Sequence, residues 1–283
     1  MLLIAVLTTL ISILFAITIC YLNFLLLISI FWRKRIPVNL HMMLTYCRFG
    51  VDLVYTIVLL ILKIYYMLTR ISNDFIIKNL YFLLVFPAAS IGNIRSVLTF
   101  LIALERVIAI YFPIFFHIYR QKLPNFVFLL IILSSELFNQ YMLFGYCGNV
   151  LETPLECVNY FCAVNSCYYR YWFSHQQIVC FLNGAFSVVL FLRLTFWSYF
   201  SGTETNKDIS RATRIALLDF FIMLFFNIIP LYISSHITGV NLEILGLFIV
   251  LIKTFGFLVE GLITYRFLFN LKIDSVNEAT VVS

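Results

Sequence analysis

Charge is scarce in this chain: only 11% of its 283 residues are Asp, Glu, Lys or Arg, against 63% apolar residues and a mean hydropathy of +1.02. A soluble domain of this length needs more polar surface, so the composition excludes one and points to an integral membrane protein. Catalytic signatures are missing as well. There is no His-Glu-x-x-His, no Gly-x-Ser-x-Gly and no paired catalytic Asp motif, and the four histidines, His41, His117, His175 and His236, are scattered along the chain. These absences argue against an intramembrane enzyme, and no cofactor or metal is expected. No Asn-x-Ser/Thr sequon occurs and the tail after Phe269 has no cysteine, so neither N-glycosylation nor a palmitoylated end is expected. The first apolar run lacks a basic leader and a small-residue cleavage site and is too long for a signal core. It reads as an uncleaved first span.

What the sequence does have is seven long apolar runs, over residues 2–32, 42–69, 80–111, 126–146, 176–200, 212–235 and 244–269. Each meets the about 20 residues that a helix needs to cross a bilayer. The expected fold is all-α, one seven-transmembrane-helix bundle over 1–283 with a short tail at 270–283. Basic residues divide unequally between the connections. Arg33, Lys34 and Arg35 follow span 1, Arg120 and Lys122 follow span 3, Lys207, Arg211 and Arg214 follow span 5, and Arg266 and Lys272 follow span 7. The opposite side has Arg70, Lys78 and Arg170. The positive-inside rule therefore predicts an outside amino terminus and an inside carboxyl terminus, and the net charge of +6 needs no nucleic-acid partner to explain it. Aromatic residues such as Trp32, Tyr65, Tyr66, Tyr146, Trp172 and Trp197 gather at span ends, where an interfacial belt is expected.

Several landmarks fall in order along the spans. Asn23 lies in span 1, Asp52 in span 2 within Phe49-Gly50-Val51-Asp52-Leu53, Glu105-Arg106 near the end of span 3 ahead of Pro113, and Pro230 in span 6. An acid-Arg pair at a helix end can also sit in the interface with its Arg snorkelling. Taken together, the landmarks resemble the rhodopsin-like G-protein-coupled receptors. The departures are equally informative: the span 7 signature is reduced to Tyr265, the usual tryptophans of spans 4 and 6 and the span 5 proline are absent, and the top of span 3 around Tyr81 has no cysteine. That pattern looks like the nematode serpentine chemoreceptors. The run from Glu105 to Ile114, followed by His117, Tyr119-Arg120 and Pro124-Asn125, most resembles their class bc.

The resemblance implies a chemosensory receptor in the plasma membrane of a sensory neuron, taking an odorant or pheromone from outside and activating a heterotrimeric G protein. It implies activation roles for Glu105, Arg106, Pro113, Pro230 and Tyr265. Arg48 and Asp52 are four apart on one helix face, and Arg95 lies eleven residues before Arg106, about 16 Å along the helix. In the rhodopsin-like arrangement that level of span 3 faces the span 2 Asp, and Glu260 approaches the same layer. A buried cluster of Arg48, Asp52, Arg95 and Glu260 is therefore expected where related receptors hold a sodium ion; the competing reading has Arg48 and Glu260 snorkelling independently. The implied ligand pocket lies between spans 3, 5, 6 and 7, with Gln177, Asn183, His236 and Lys253 as its polar groups. Lys253 also invites a retinal Schiff-base reading, although no counterion stands near it in the sequence.

Four of the seven cysteines, Cys147, Cys157, Cys162 and Cys167, crowd the connection between spans 4 and 5, and at least one disulfide is expected there, with none to span 3. Three pairings of the four are possible. The rival reading is a zinc site with His175, whose five-residue cysteine intervals do not match common ligand spacings. Cys20 and Cys47 are expected to be small buried packing residues. The alternative function is a transporter or ion channel using the buried charges as a path, although no inverted repeat or broken helix pair is evident.

Overall fold

The computed structural model describes residues 2–34, 42–114, 116, 118, 125–154, 157, 160–200, 217, 218, 220–236 and 242–269. Arg35, His117, Tyr119, Arg120, Lys122, Pro124, Lys207, Arg211, Arg214 and Lys272 lie outside these, as does the side chain of His236. Among the described residues the chain is helical, with no strand.

Helix α1 spans Leu2–Leu27 and runs on as a π-helical turn, Ile28–Trp32. It stops at Lys34, whose φ of 46° is left-handed and incompatible with a further turn. Helix α2, Met43–Ile71, buries Thr45, Arg48, Phe49, Asp52, Tyr55, Thr56, Lys63 and Tyr66, a stripe at helical spacing that turns its few polar residues inward. Its end is set by Ser72, which is extended, and a 3-10 turn over Asn73–Phe75 leads to Asn79 at φ 65° and then to α3, Leu80–Tyr111. Pro87 lies within α3. Helix α4, Asn125–Gln140, also continues as a π turn, Tyr141–Tyr146.

Helix α5, Ser166–Phe200, begins ten residues before the apolar run that announces it. Asn165 explains the early start. Its Oδ1 accepts the backbone N–H of Tyr168 at 2.9 Å, an N-cap, while its own N–H donates to Asn149 Oδ1 and its Nδ2 to the Cys147 carbonyl. A sixth helical stretch, α6, contains a π turn over Leu224–Ile228 and then Ile229–His236. Pro230 stands two residues past that turn; it has no N–H for the carbonyl one turn back, and wider π hydrogen bonding is one way a helix absorbs such a break. Helix α7 is Leu242–Phe269.

Helix α1 packs on α2 and α7, α2 on α3, and α3 on α4 and α5, which leaves α3 central. One core cluster joins Leu26, Ile30, Met42, Tyr46, Phe49 and Leu268, with Tyr265 packed against it; a second joins Leu44 with Val97, Leu98, Leu101 and Ile102. The π turn of α6 lies so close to α7 that a Cβ added at Gly256 would overlap Phe226 Cβ, which makes glycine obligatory there. The outer faces remain apolar. On α4, Leu129, Leu133, Leu137, Phe138 and Tyr141 are all exposed, as befits helices solvated by lipid with every backbone group satisfied internally. Among the described residues, five helices, α1, α2, α4, α5 and α7, are long and apolar enough to cross a membrane.

Candidate functional site

The chemistry lies inside the bundle, at the level where α2, α3 and α7 meet. Asp52 receives Arg95 Nε at 2.6 Å, and Glu260 receives Arg95 Nη2 at 2.8 and 2.9 Å on its two oxygens. Arg48 Nη2 closes the ring on Glu260 Oε1 at 2.6 Å, and its Nε lies 3.5 Å from Asp52 Oδ2, one helical turn away. Each carboxylate therefore lies between two guanidiniums, and the four formal charges cancel. Arg48 is 1%, Asp52 8% and Glu260 3% exposed, so the groups have given up most of their hydration and depend on one another for compensation. The Phe257 ring covers the Arg95 guanidinium at 4.2 Å and adds a cation–π contact. A cavity of about 20 Å³ adjoins the ring, lined by Asn23, Asp52, Thr56, Arg95, Glu260 and Thr264 among others. That is room for about one water molecule.

Toward one end of α3 stands the acid-Arg pair. Arg106 is 1% and Glu105 4% exposed, with Arg106 Nη2 3.6 Å from Glu105 Oε2. Burial to this degree is not what an interfacial, snorkelling Arg would have. One turn further on, Tyr111 donates its hydroxyl to the Val189 carbonyl at 3.4 Å and lies under the Arg193 guanidinium, tying the foot of α3 to α5. Pro113 follows the helix end at Phe112 and is exposed. Tyr265 packs on the α1–α2 cluster around Leu26 and Tyr46.

At the opposite end, Cys147 pairs with Cys167 and Cys157 with Cys162. The first bridge ties the end of α4 to the first turn of α5; the second closes a small loop over the cluster of Phe82, Leu143, Ala163 and Tyr168. These bonds occupy the thiols that the zinc reading required. Cys47 is exposed rather than buried, on the lipid-facing side of α2, and Cys20 is half-buried. The expected ligand residues are dispersed. Gln177 is exposed, Asn183 is buried with its amide directed at Met223 Sδ, and Lys253 Nζ stands 5.9 Å from the Phe257 ring; none of the three lines the cavity above. It is the neighbour Gln176 that turns inward, accepting from Ser96 Oγ at 3.3 Å.

One buried charge, Lys63, and one half-buried charge, Glu136, escaped sequence reasoning. Lys63, 6% exposed, is held between α1 and α7 by Ser12 Oγ, the Ser12 carbonyl and Thr254 Oγ1, the last at 2.9 Å. Glu136 on α4 accepts from Asn93 Nδ2 at 3.2 Å and from Gln140 Nε2. Both were legible as single charges within apolar runs, and Lys63 lies eleven residues, about three turns, from Asp52 on the same inward face.

Comparison with curated proteins finds no match. The profile of the serpentine type 7TM GPCR chemoreceptors, Srbc, matches residues 1–272. A helical bundle apolar enough to span a membrane, an acid-Arg pair closing α3 and a profile match over nearly the whole chain lead to one assignment: the chain belongs to the Srbc family of seven-transmembrane serpentine chemoreceptors.

Proposed function

We propose that this protein is a chemosensory receptor of a sensory-neuron plasma membrane that converts capture of an external small molecule into activation of a heterotrimeric G protein. The observation that carries the reading is Arg106, a guanidinium buried to 1% exposure beside Glu105 at the end of the central helix. A charge so placed is held in reserve by its surroundings and is released when neighbouring helices move. The basic residues of the connections at that end support a cytoplasmic location for it, and the two disulfides support an outside location for the connection that bears them, where such bonds persist.

In this reading the four-charge ring is structural: it fixes α2, α3 and α7 as one body and fills with arginine the place where a small cation would otherwise stand. Helix α6 is the moving part. Its π turn at Leu224–Ile228 and the adjacent Pro230 give it a bend about which its inner half swings, opening a cleft beside Arg106 for the G protein. Pro113 ends α3 beyond the pair, and Tyr265 steadies the inner end of α7. The test is a screen of small molecules on cells expressing the receptor, read by G-protein activation and, in parallel, by membrane conductance. A G-protein response without conductance supports the reading; a ligand-gated current without G-protein activation overturns it in favour of a channel.

A further inference from the structure

A polar chain runs between α3 and α4 just beneath the disulfide-bearing connection, and the activation reading makes no use of it. Gln140 Nε2 donates to Ser90 Oγ at 3.1 Å and to Glu136 Oε1, and Asn93, 3% exposed, donates to Glu136 Oε2. The half-buried Glu136 thus holds its carboxyl group among neutral donors within the apolar run of α4, with no ion pair to a basic side chain among the described residues. Directly above lies a cavity of about 10 Å³ lined by Phe82, Phe86, Ser90, Leu143 and Tyr168 among others. Phe86 stacks on Phe82 at 5.7 Å and tilts against Phe144, and Tyr168 is anchored by donating its hydroxyl to Asn139 Oδ1 at 2.9 Å. The Cys147–Cys167 bridge holds the outer ends of α4 and α5 together over this crevice, and Cys157 and Ala163 roof it.

We propose that this crevice between α3, α4 and α5 is the ligand site, and that it takes a small protonated monoamine with an apolar body. Gln140 shows what the slot requires. Its NH₂ group is a two-proton donor bridging an acid and a hydroxyl, and an ammonium group supplies those bonds and a third, together with the positive charge that Glu136 lacks. As it stands the cavity has room for no more than about one water molecule, so the ammonium displaces the Gln140 amide and the apolar body enters by parting the Phe82, Phe86 and Leu143 side chains, with the two phenyl faces also favouring a cation. An anionic ligand meets the Glu136 carboxylate and is excluded; a neutral alcohol gains the hydrogen bonds without the charge and binds more weakly. This inference rests on the receptor reading for its biological sense, but its test needs no G protein.

The full-length receptor, purified into lipid nanodiscs, is assayed for saturable binding of radiolabelled 2-phenylethylamine, with 3-methylbutylamine, 2-phenylethanol and 3-phenylpropanoic acid as competitors. The expected result is saturable amine binding, competition by the second amine, at least tenfold weaker competition by the alcohol, and none by the acid. Glu136→Gln is expected to lower amine affinity at least tenfold. Gln140→Ala, which empties the slot, is expected to raise it several-fold, whereas a purely structural Gln140 would lower it on removal. Gln140→Ala also serves where Glu136→Gln fails to fold. No saturable amine binding to either wild type or Gln140→Ala, or equal competition by amine, alcohol and acid, overturns the proposal. Because coupling plays no part in the assay, failure of G-protein activation leaves this result standing, and failure of amine binding leaves the coupling reading standing.

Discussion

Removing one arginine from the four-charge ring should cost more than removing an arginine and an aspartate together. Arg95 makes three contacts of 2.6 to 2.9 Å with Asp52 and Glu260. In Arg95→Leu the ring is left with two carboxylates and one guanidinium, and Arg48, already committed to Glu260 at 2.6 Å, reaches Asp52 only at 3.5 Å. Asp52 becomes a buried, nearly unpaired charge. The expected loss is about 3–5 kcal/mol, roughly two to four orders of magnitude in the folded-to-unfolded ratio. Asp52→Asn strands Arg95 in part, since Glu260 still holds it, and is expected near the lower end of that range, about 3 kcal/mol. The double variant Asp52→Leu/Arg95→Leu leaves the neutral Arg48–Glu260 pair intact and should lose less than about 2 kcal/mol. Thermal denaturation of the three purified variants, with surface expression as the cellular counterpart, measures the cycle. Losses that add within about 0.5 kcal/mol would refute a coupled ring, and restoration of Arg95→Leu by sodium would refute the view that arginine stands in place of a cation.

Other outcomes follow from single contacts. Mass spectrometry of non-reduced peptides should recover the Cys147–Cys167 and Cys157–Cys162 bridges, and removing the first pair, which closes a separation of 20 residues, should lower stability by about 3 kcal/mol; four free thiols would contradict this. Lys63→Met should be tolerated, because it removes the buried ammonium together with its need for partners, whereas Ser12→Ala strips an acceptor from Lys63 and should destabilise by about 1–3 kcal/mol; thermal melts giving the reverse order would count against the Ser12–Lys63–Thr254 contact. Gly256→Val drives a side chain into Phe226 and should cost about 1–3 kcal/mol of packing between α6 and α7, read as loss of surface receptor; wild-type levels would show that the close approach is not needed.

Where apolar runs and isolated charges carried the information, the sequence was easy to read. The helix count rests on bilayer-length runs, and Asp52 and Arg95 stood out because charges at membrane depth seek partners. The ends of helices were harder, since they depend on local hydrogen bonds rather than hydropathy. Asn165 starts α5 among polar and aromatic residues that an apolar window does not register. The capping signal was visible, but only to a search for it. Lys63 and Glu136 were visible as charges, and Gln140 stands one turn from Glu136 on the same helix, yet their other partners, Ser12, Thr254 and Asn93, lie on other helices and no pattern along the chain announces those pairings. Cys47 shows the same limit from the other side: its place within an apolar run does not say whether it faces protein or lipid. The ligand residues dispersed for a related reason. Gln176 and Gln177 differ by one residue, 100° around the helix, and it is the first that turns inward.

The central claim, that Arg106 couples the receptor to a G protein, is tested most directly by Arg106→Ala in cells, with surface expression, ligand binding and ligand-evoked G-protein activation measured on the same population. The expected result is a receptor that reaches the surface and binds its ligand as the wild type does while G-protein activation is abolished. Undiminished activation in that variant would contradict it.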